Sequence, residues 1–172
     1  MHCQKLNKMP NFDYSSATTT RKSFKNSFDG SVDVGDIYLP HSETLYQMFS
    51  KANAKSIGDI DAPKATTAYG LTYGFYGEKI GDINLPKCTD FSWGLMYHDN
   101  TKTIGHIKTP VVENFENLFY KSVKLECIKS IDTRSQTDTT DMFEKTDSLT
   151  NPTATEQTDI MNGALYENSN PC

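Results

Sequence analysis

The chain has 172 residues, a formal net charge of −5 and no apolar run approaching the ~20 residues that a membrane-spanning helix needs. No basic stripe of the kind that binds nucleic acid is present, so we expect neither a nucleic-acid partner nor a membrane partner. Isoleucine, leucine, valine and phenylalanine together number 34, about a fifth of the chain, a level at which compact cores become hard to build.

Residues 1–13 are predicted to be an N-terminal extension, and they lack the apolar stretch of a signal peptide. The four cysteines Cys3, Cys88, Cys127 and Cys172 are far apart and form no C-x-x-C pair. This spacing favours free thiols in a reducing compartment, with two disulfides as the alternative. A location in the cytoplasm follows as an expectation.

Residues 14–122 are predicted to hold about five repeats of 23–25 residues. One phrase, [IV]-G-[DH]-I-x-x-P, occurs four times, and it ends at Pro40, Pro63, Pro86 and Pro110, which are 23, 23 and 24 residues apart. The glycine permits a bend or a close backbone approach, and the proline removes a backbone donor, so regular sheet or long helix is interrupted once per repeat.

A second, looser phrase ends in an aromatic residue and usually follows one or more threonines. The aromatics are Phe24, Phe49, Tyr73, Tyr97 and Tyr120. Between the phrases, residues 42–49 and residues 111–123 have apolar side chains at helical spacing, which predicts one or two short helices.

Residues 123–172 are predicted to form an acidic, Thr/Asn-rich tail. From residue 132 onward this tail holds 2 basic against 8 acidic residues, whereas residues 1–131 hold 15 against 14. Such a composition is typical of a flexible or peripheral segment, and Met142-Phe143 and Leu165-Tyr166 are its candidate anchors.

The period of 23–24 residues has two interpretations. Repeats of this length can stack on one another as a solenoid, in the manner of β-helix coils and leucine-rich repeats, but a unit such as 57–79 offers few inward aliphatics. Alternatively, an extended chain of 23–24 residues spans roughly 76–86 Å, a range that includes the longitudinal repeat of the tubulin dimer in a protofilament. We therefore expect a mostly irregular, extended repeat protein with little regular secondary structure, and a small β-solenoid-like array is the alternative.

The stretch SATTTRKSFKNSF at residues 16–28 resembles the Thr-Thr-x-x-x-aromatic modules of the stabilisers of axonemal microtubules and related microtubule inner proteins. The stretch TAYGLTY at residues 67–73 is a degenerate version. The resemblance implies a structural protein in the lumen of doublet microtubules of a cilium or flagellum, with one repeat per tubulin dimer. It implies the tubulin α/β lattice as partner, an axonemal location in the cytoskeleton, and contacts of the tail with other axonemal proteins.

Under this interpretation the five aromatics are the anchors in the partner, and polar contacts come from side chains beside the glycines and before the aromatics. The polar candidates are Asp36, Asp59, Asp82, His106, Thr19, Thr44 and Thr67. The aspartates could instead cap a bend after each glycine. No spacing of histidine, cysteine or carboxylate residues predicts a metal, a cofactor or a catalytic group, so no enzyme is expected. The alternative function is a self-folded repeat domain that acts as a protein–protein interaction module.

Overall fold

A computed structural model describes residues 14–169 and 172 of the chain. The predicted extension 1–13 and Cys3 lie outside the described residues. The elements are the strands β1 (Asp33–Val34), β2 (Ile37–Tyr38), β3 (Ser56–Ile57), β4 (Ile60–Asp61), β5 (Lys79–Ile80), β6 (Ile83–Asn84), β7 (Thr103–Lys108), β8 (Cys127–Asp132) and β9 (Leu165–Glu167), and the helix α1 (Ala154–Met161).

The strands form one nine-stranded sheet in which each repeat lies beside the next in parallel register. Strand β1 pairs with β3, β3 with β5, β5 with the first half of β7, and β7 with β8. Strand β2 pairs with β4, β4 with β6, and β6 with the second half of β7. The result is a parallel β-solenoid of about four turns, in which one turn equals one sequence repeat.

Two apolar ladders on the inner side of this sheet fill half of the solenoid core. Each repeat contributes one member to each ladder, and all are at most 3% exposed. The ladders are Val34, Ile57, Ile80, Ile104 and Ile128, and Ile37, Ile60, Ile83, Ile107 and Ile131. The apolar positions of the repeated phrase are therefore inward positions. Because Ile57 and Ile60 are three residues apart, a straight strand would place them on opposite faces, and the bend between β3 and β4 turns both inward.

The glycine of the phrase is required because adjacent turns approach closely there. A Cβ added to Gly81 would lie 2.7 Å from the carbonyl carbon of Gly58 and 2.8 Å from the amide nitrogen of Asp59. The same distances apply at Gly105, against Gly81 and Asp82 of the preceding turn. Real Cβ atoms do not approach backbone atoms this closely, so an alanine at either position would force the turns apart.

The opposite wall of the solenoid consists of tight turns in succession. Met48 N donates to Leu45 O and Ala52 N donates to Phe49 O, which closes two β-turns in one repeat. The third residue of each turn, Gln47 and Lys51 respectively, has a positive φ of 52° and 54°. A positive φ at this position is what a type II turn requires.

The expectation of an irregular, extended chain is wrong, and the β-solenoid alternative is confirmed. The inward positions of the unit 57–79 are more numerous than its aliphatics suggested, because small and aromatic side chains also fill the core. Besides Ile57, Ile60 and Leu71, the buried side chains of this unit are Ala62, Ala65, Ala68, Thr72 and Phe75.

The helices expected at residues 42–49 and 111–123 are also wrong. Gln47, Asn117 and Lys121 have φ between 52° and 56°, which a right-handed helix cannot contain. The one helix among the described residues is α1, which begins with a capping box between Thr153 and Glu156.

The stack of turns continues past residue 122. Asn114 forms a β-bridge with Asp138, and Met142 and Phe143 are buried in the same core. Strand β9 then pairs antiparallel with β8, and Thr133 Oγ1 donates to Ile160 O of α1 at 2.6 Å. Among the proposed tail anchors Tyr166 is buried, whereas Leu165 is 48% exposed. The acidic segment therefore builds the last turn and a cap on the solenoid.

The cap includes a disulfide between Cys127 and Cys172, so the expectation of free thiols is wrong for these two residues. They meet because Asn168 N donates to Lys129 O, which holds the end of the chain alongside β8. Cys88 is a free, buried cysteine, and burial raises the pKa of its thiol to about 12. A thiol of this kind is unreactive at neutral pH.

Candidate interaction surface

The two predicted phenylalanine anchors belong to the interior. Phe49 is 0% exposed, and Phe24 packs on it with 5.1 Å between ring centroids. Phe49 N donates to Leu71 O and Leu95 N to Leu118 O, so the counterparts in later turns are Thr72, Leu95 and Phe119, which are fully buried. Phe49 therefore stabilises the stack from within the core, whereas Phe24 packs against the core and is partly buried.

The three predicted tyrosine anchors lie on the outside of the turn wall, where each is partly exposed. They are not equivalent positions of the repeat. Lys51 N donates to Tyr73 O and Tyr97 N donates to Tyr120 O, so Tyr97 corresponds to Lys51 and lies one residue beyond Tyr73 and Tyr120 in its turn.

These tyrosines belong to a continuous row of aromatic rings that the sequence did not predict. We call it the aromatic strip; it consists of Tyr46, Tyr69, Trp93, Tyr73, Tyr97 and Tyr120, all partly exposed. Ring centroids are 5.2 Å apart between Tyr46 and Tyr69 and 6.0 Å between Tyr69 and Trp93. The sequence signal that could have found Tyr46 and Tyr69 is their separation of 23 residues, one full period.

The strip continues from Trp93 to Tyr73 at 6.3 Å, from Tyr73 to Tyr97 at 5.4 Å, and from Tyr97 to Tyr120 at 5.9 Å. The planes of the first rings are nearly parallel, with interplanar angles of 10°, 23° and 21°, so these rings cover one another's faces. The part left for solvent is a row of ring edges and polar tips. Such a surface combines apolar area with hydrogen-bonding groups.

The Tyr69 phenol keeps its proton at neutral pH. Burial raises the pKa of Tyr69 above its ordinary value, and the neighbouring Tyr46 and the carboxylates of Glu116 and Asp90 raise it further. Tyr69 can therefore donate a hydrogen bond from the strip to a bound molecule.

Cations cover both ends of the strip. At one end, the Arg21 guanidinium carbon lies 4.4 Å from the centroid of the Tyr46 ring, and Lys22 Nζ lies 5.6 Å from it. At the other end, Lys121 Nζ lies 5.1 Å and Lys145 Nζ 5.4 Å from the centroid of Tyr120. Cation–π contacts of this type hold long side chains close to the rings while their charges stay at the surface.

Two aromatic residues of the strip occupy left-handed backbone conformations. Trp93 and Tyr97 each have a φ of 59°. The equivalent positions in the preceding turn are glycines, Gly70 and Gly74, with φ of 58° and 66°. Bulky side chains are rare in this region of φ/ψ space, where glycine carries no steric cost.

A depression of 140 Å³ lies beside the strip. It is lined by Lys51, Tyr73, Gly74, Tyr76, Tyr97 and Asp99. Lys51 and Asp99 are the charged residues of this lining, and the rest of the wall is mainly aromatic. The depression therefore suits an apolar side chain more than a charged one.

The predicted aspartates form a ladder on the outer side of the sheet, where each one accepts a hydrogen bond from the next turn. Asp36 Oδ1 accepts from Asp59 N at 2.9 Å, and Asp59 Oδ1 accepts from Asp82 N at 2.7 Å. Asp82 Oδ1 accepts from His106 N at 2.8 Å, and His106 Nδ1 lies 2.8 Å from Ser130 Oγ. These side chains satisfy backbone donors at the position of the bend.

The predicted threonines form a second ladder, of isolated bridges, at the start of the turn wall. Thr19 pairs with Thr44, and Thr44 pairs with Thr67. Thr44 Oγ1 accepts from Tyr46 N and Thr67 Oγ1 from Tyr69 N, each at 3.4 Å. The threonines therefore support the turns that present the strip, and the structure brings none of them together with the aspartate ladder.

No protein-family model, no curated protein and no solved structure matches this chain. Within residues 14–169 and 172, no helix is long and apolar enough to cross a membrane. The same residues contain no group of three or more histidine, cysteine or acidic side chains arranged to hold a metal ion.

Proposed function

We propose that this chain is a protein–protein interaction module whose binding surface is the aromatic strip. The observation that carries the proposal is the row of partly exposed aromatic rings that contact one another across four adjacent turns. Contiguous exposed apolar area on a protein surface marks interaction sites. The fold accepts glycine at the positions equivalent to Trp93 and Tyr97, so stability alone gives no reason for two large aromatics there.

The composition of the strip supports a protein partner. Tyrosine, tryptophan and arginine are the residues that carry most of the binding energy in protein interfaces. Sugars and nucleic-acid bases need an open ring face on which to stack, and here the first four rings cover one another's faces. Ring edges with phenol hydroxyls suit the mixed polar and apolar surface of a protein.

Tubulin remains a prediction for the partner. The repeat length gives no support for tubulin, because successive repeats stack about 4.8 Å apart and do not extend over the length of a tubulin dimer. Co-sedimentation with microtubules tests it directly, with the chain added both during assembly and afterwards so that a luminal site is reachable. The proposal of an interaction module does not require that result to be positive.

The experiment for the module itself compares two double variants of the chain. Trp93→Gly with Tyr97→Gly removes two rings and leaves backbones that glycine adopts without strain. Asn26→Gly with Asp141→Gly makes the same change at equivalent turn positions, which have φ of 56° and 53° and form no part of the strip.

Immobilised wild type and the two variants are incubated with extract of the source cells, and the retained proteins are quantified by mass spectrometry. We expect a set of proteins retained by the wild type and by the control variant and depleted at least about tenfold by the strip variant. If the strip variant retains the same proteins at the same levels, the strip is not the binding surface and the proposal fails.

A further inference from the structure

The charges beside the strip are unevenly distributed along the solenoid. Residues 14–28 contain Arg21, Lys22 and Lys25 and no acidic residue. Lys51 adds a fourth cation at the edge of the depression. Among the described residues none of these four side chains forms an ion pair. This end of the strip therefore carries positive charge that the chain itself does not neutralise.

The contacts of these cations fix their heads near the strip. Arg21 and Lys22 lie over the Tyr46 ring, and Lys25 Nζ donates to Gln47 Oε1 at 3.0 Å. A cation over an aromatic ring and a lysine bound to a neutral amide both retain their full charge for a partner carboxylate.

We propose that the strip binds an extended, acidic segment of a protein partner, with two adjacent carboxylates at Arg21, Lys22 and Lys25 and an apolar side chain in the 140 Å³ depression. This inference rests on the proposed function and specifies its partner. The depression lies two turns along the stack from Arg21 and at the turn position of Asn26, further along the wall, so an extended peptide reaches both by crossing the strip obliquely. The recognised pattern is therefore a pair of acidic residues with an apolar residue a short distance after it.

The test uses the full-length chain and Trp93 as an internal reporter, because it is the one tryptophan in the sequence and lies in the middle of the strip. The probe is the acetylated, amidated peptide Gly-Asp-Glu-Ser-Ser-Leu-Gly, which has no aromatic residue of its own. One control peptide replaces Asp-Glu with Lys-Lys, and a second replaces Leu with Ser.

We expect a saturable change in Trp93 fluorescence with the acidic peptide and an affinity at least about tenfold lower for each control peptide. Raising the salt concentration from 50 to 300 mM should weaken binding at least about fivefold, because the charges are exposed. A flat titration, or equal affinity for the Lys-Lys peptide, overturns the proposal.

A charge swap separates recognition from a structural role of the cations. Arg21→Glu with Lys25→Glu should weaken the acidic peptide about tenfold or more and should bring the Lys-Lys peptide to comparable affinity. The solenoid fold is checked by circular dichroism of the same variant. Loss of binding to both peptides in a folded variant would contradict the proposed charge pairing.

Other occupants give distinct outcomes in the same experiments. Tighter binding of a single-stranded oligonucleotide than of the acidic peptide assigns the surface to nucleic acid and overturns the proposal. A salt-sensitive dimer in sedimentation velocity that the charge swap dissociates assigns the basic end to a second copy of this chain. If the strip variant loses its captured proteins while the peptide fails to bind, the interaction module stands and the acidic specificity does not.

Discussion

Replacing Gly81 by alanine tests the claim that the glycine of the repeated phrase exists for close stacking of turns. The new Cβ would lie 2.7 Å from Gly58 C and 2.8 Å from Asp59 N, both backbone atoms that cannot move aside alone. The hydrogen bonds beside it, from Gly81 N to Ile57 O at 2.9 Å and from Asp82 N to Asp59 Oδ1 at 2.7 Å, would lengthen as the turns separate.

The expected destabilisation is about 2–4 kcal/mol, from overpacking of about 1–3 kcal/mol and one weakened hydrogen bond of about 1 kcal/mol. Urea unfolding monitored by circular dichroism measures it. With an m-value of about 2 kcal/mol/M, the unfolding midpoint should fall by about 1–2 M.

The control is Lys79→Ala, an exposed side chain in β5 two residues before Gly81, which should stay within about 0.5 kcal/mol of the wild type. Gly105→Ala has the same calculated contacts and should match Gly81→Ala. A midpoint for Gly81→Ala equal to that of the control would refute the close-stacking argument.

Phe49→Ala should lower the free energy of unfolding by about 3–5 kcal/mol because the ring is fully buried. Tyr46→Ala should cost far less stability and should reduce partner capture. Urea melts measure the first effect and the capture assay measures the second. Burial lowers the pKa of His98 from 6.5 to about 4, so the unfolded chain binds more protons in this window. The free energy of unfolding should therefore fall by about 3 kcal/mol as the pH drops from 6.5 to about 4. Melts of His98→Gln should lack this pH-dependent loss of stability. Reducing the Cys127–Cys172 disulfide, which closes 45 residues of sequence, should lower stability by about 4 kcal/mol at most; dithiothreitol melts measure it, and an unchanged midpoint would refute a stabilising role.

The period and the glycine positions could be predicted from the sequence, whereas the inward apolar ladders were not. A phrase that recurs every 23–24 residues implies that equivalent residues lie in equivalent surroundings. Ile57 and Ile80 do pair in the same ladder. What the sequence did not show is that the surroundings are other repeats of the same chain. Counting aliphatics underestimated the core because Ala62, Ala68 and Phe75 also point inward.

Whether an aromatic residue lies in the core or at the surface depends on its position within its turn. The spacing of the aromatics along the sequence did not determine that position. Phe49, Tyr73 and Tyr97 are 24 residues apart, yet Phe49 is buried and the two tyrosines are at the surface. The difference arises because these turns repeat every 23 residues: Phe49 N donates to Leu71 O and Thr72 N donates to Gly94 O. Aromatics that are 24 residues apart therefore move one position further along the turn at each repeat.

The sequence by itself therefore determined the repeat and the positions of its glycines, prolines and apolar residues, since these are read directly from a constant period. Only the tertiary structure decided that Tyr46, Tyr69 and Trp93 join the predicted tyrosines in one strip, because ring contacts of 5.2 to 6.3 Å form between turns and not along the chain. It also decided that the acidic tail is a cap, since α1 and β9 are ordered by the end of the stack on which they pack.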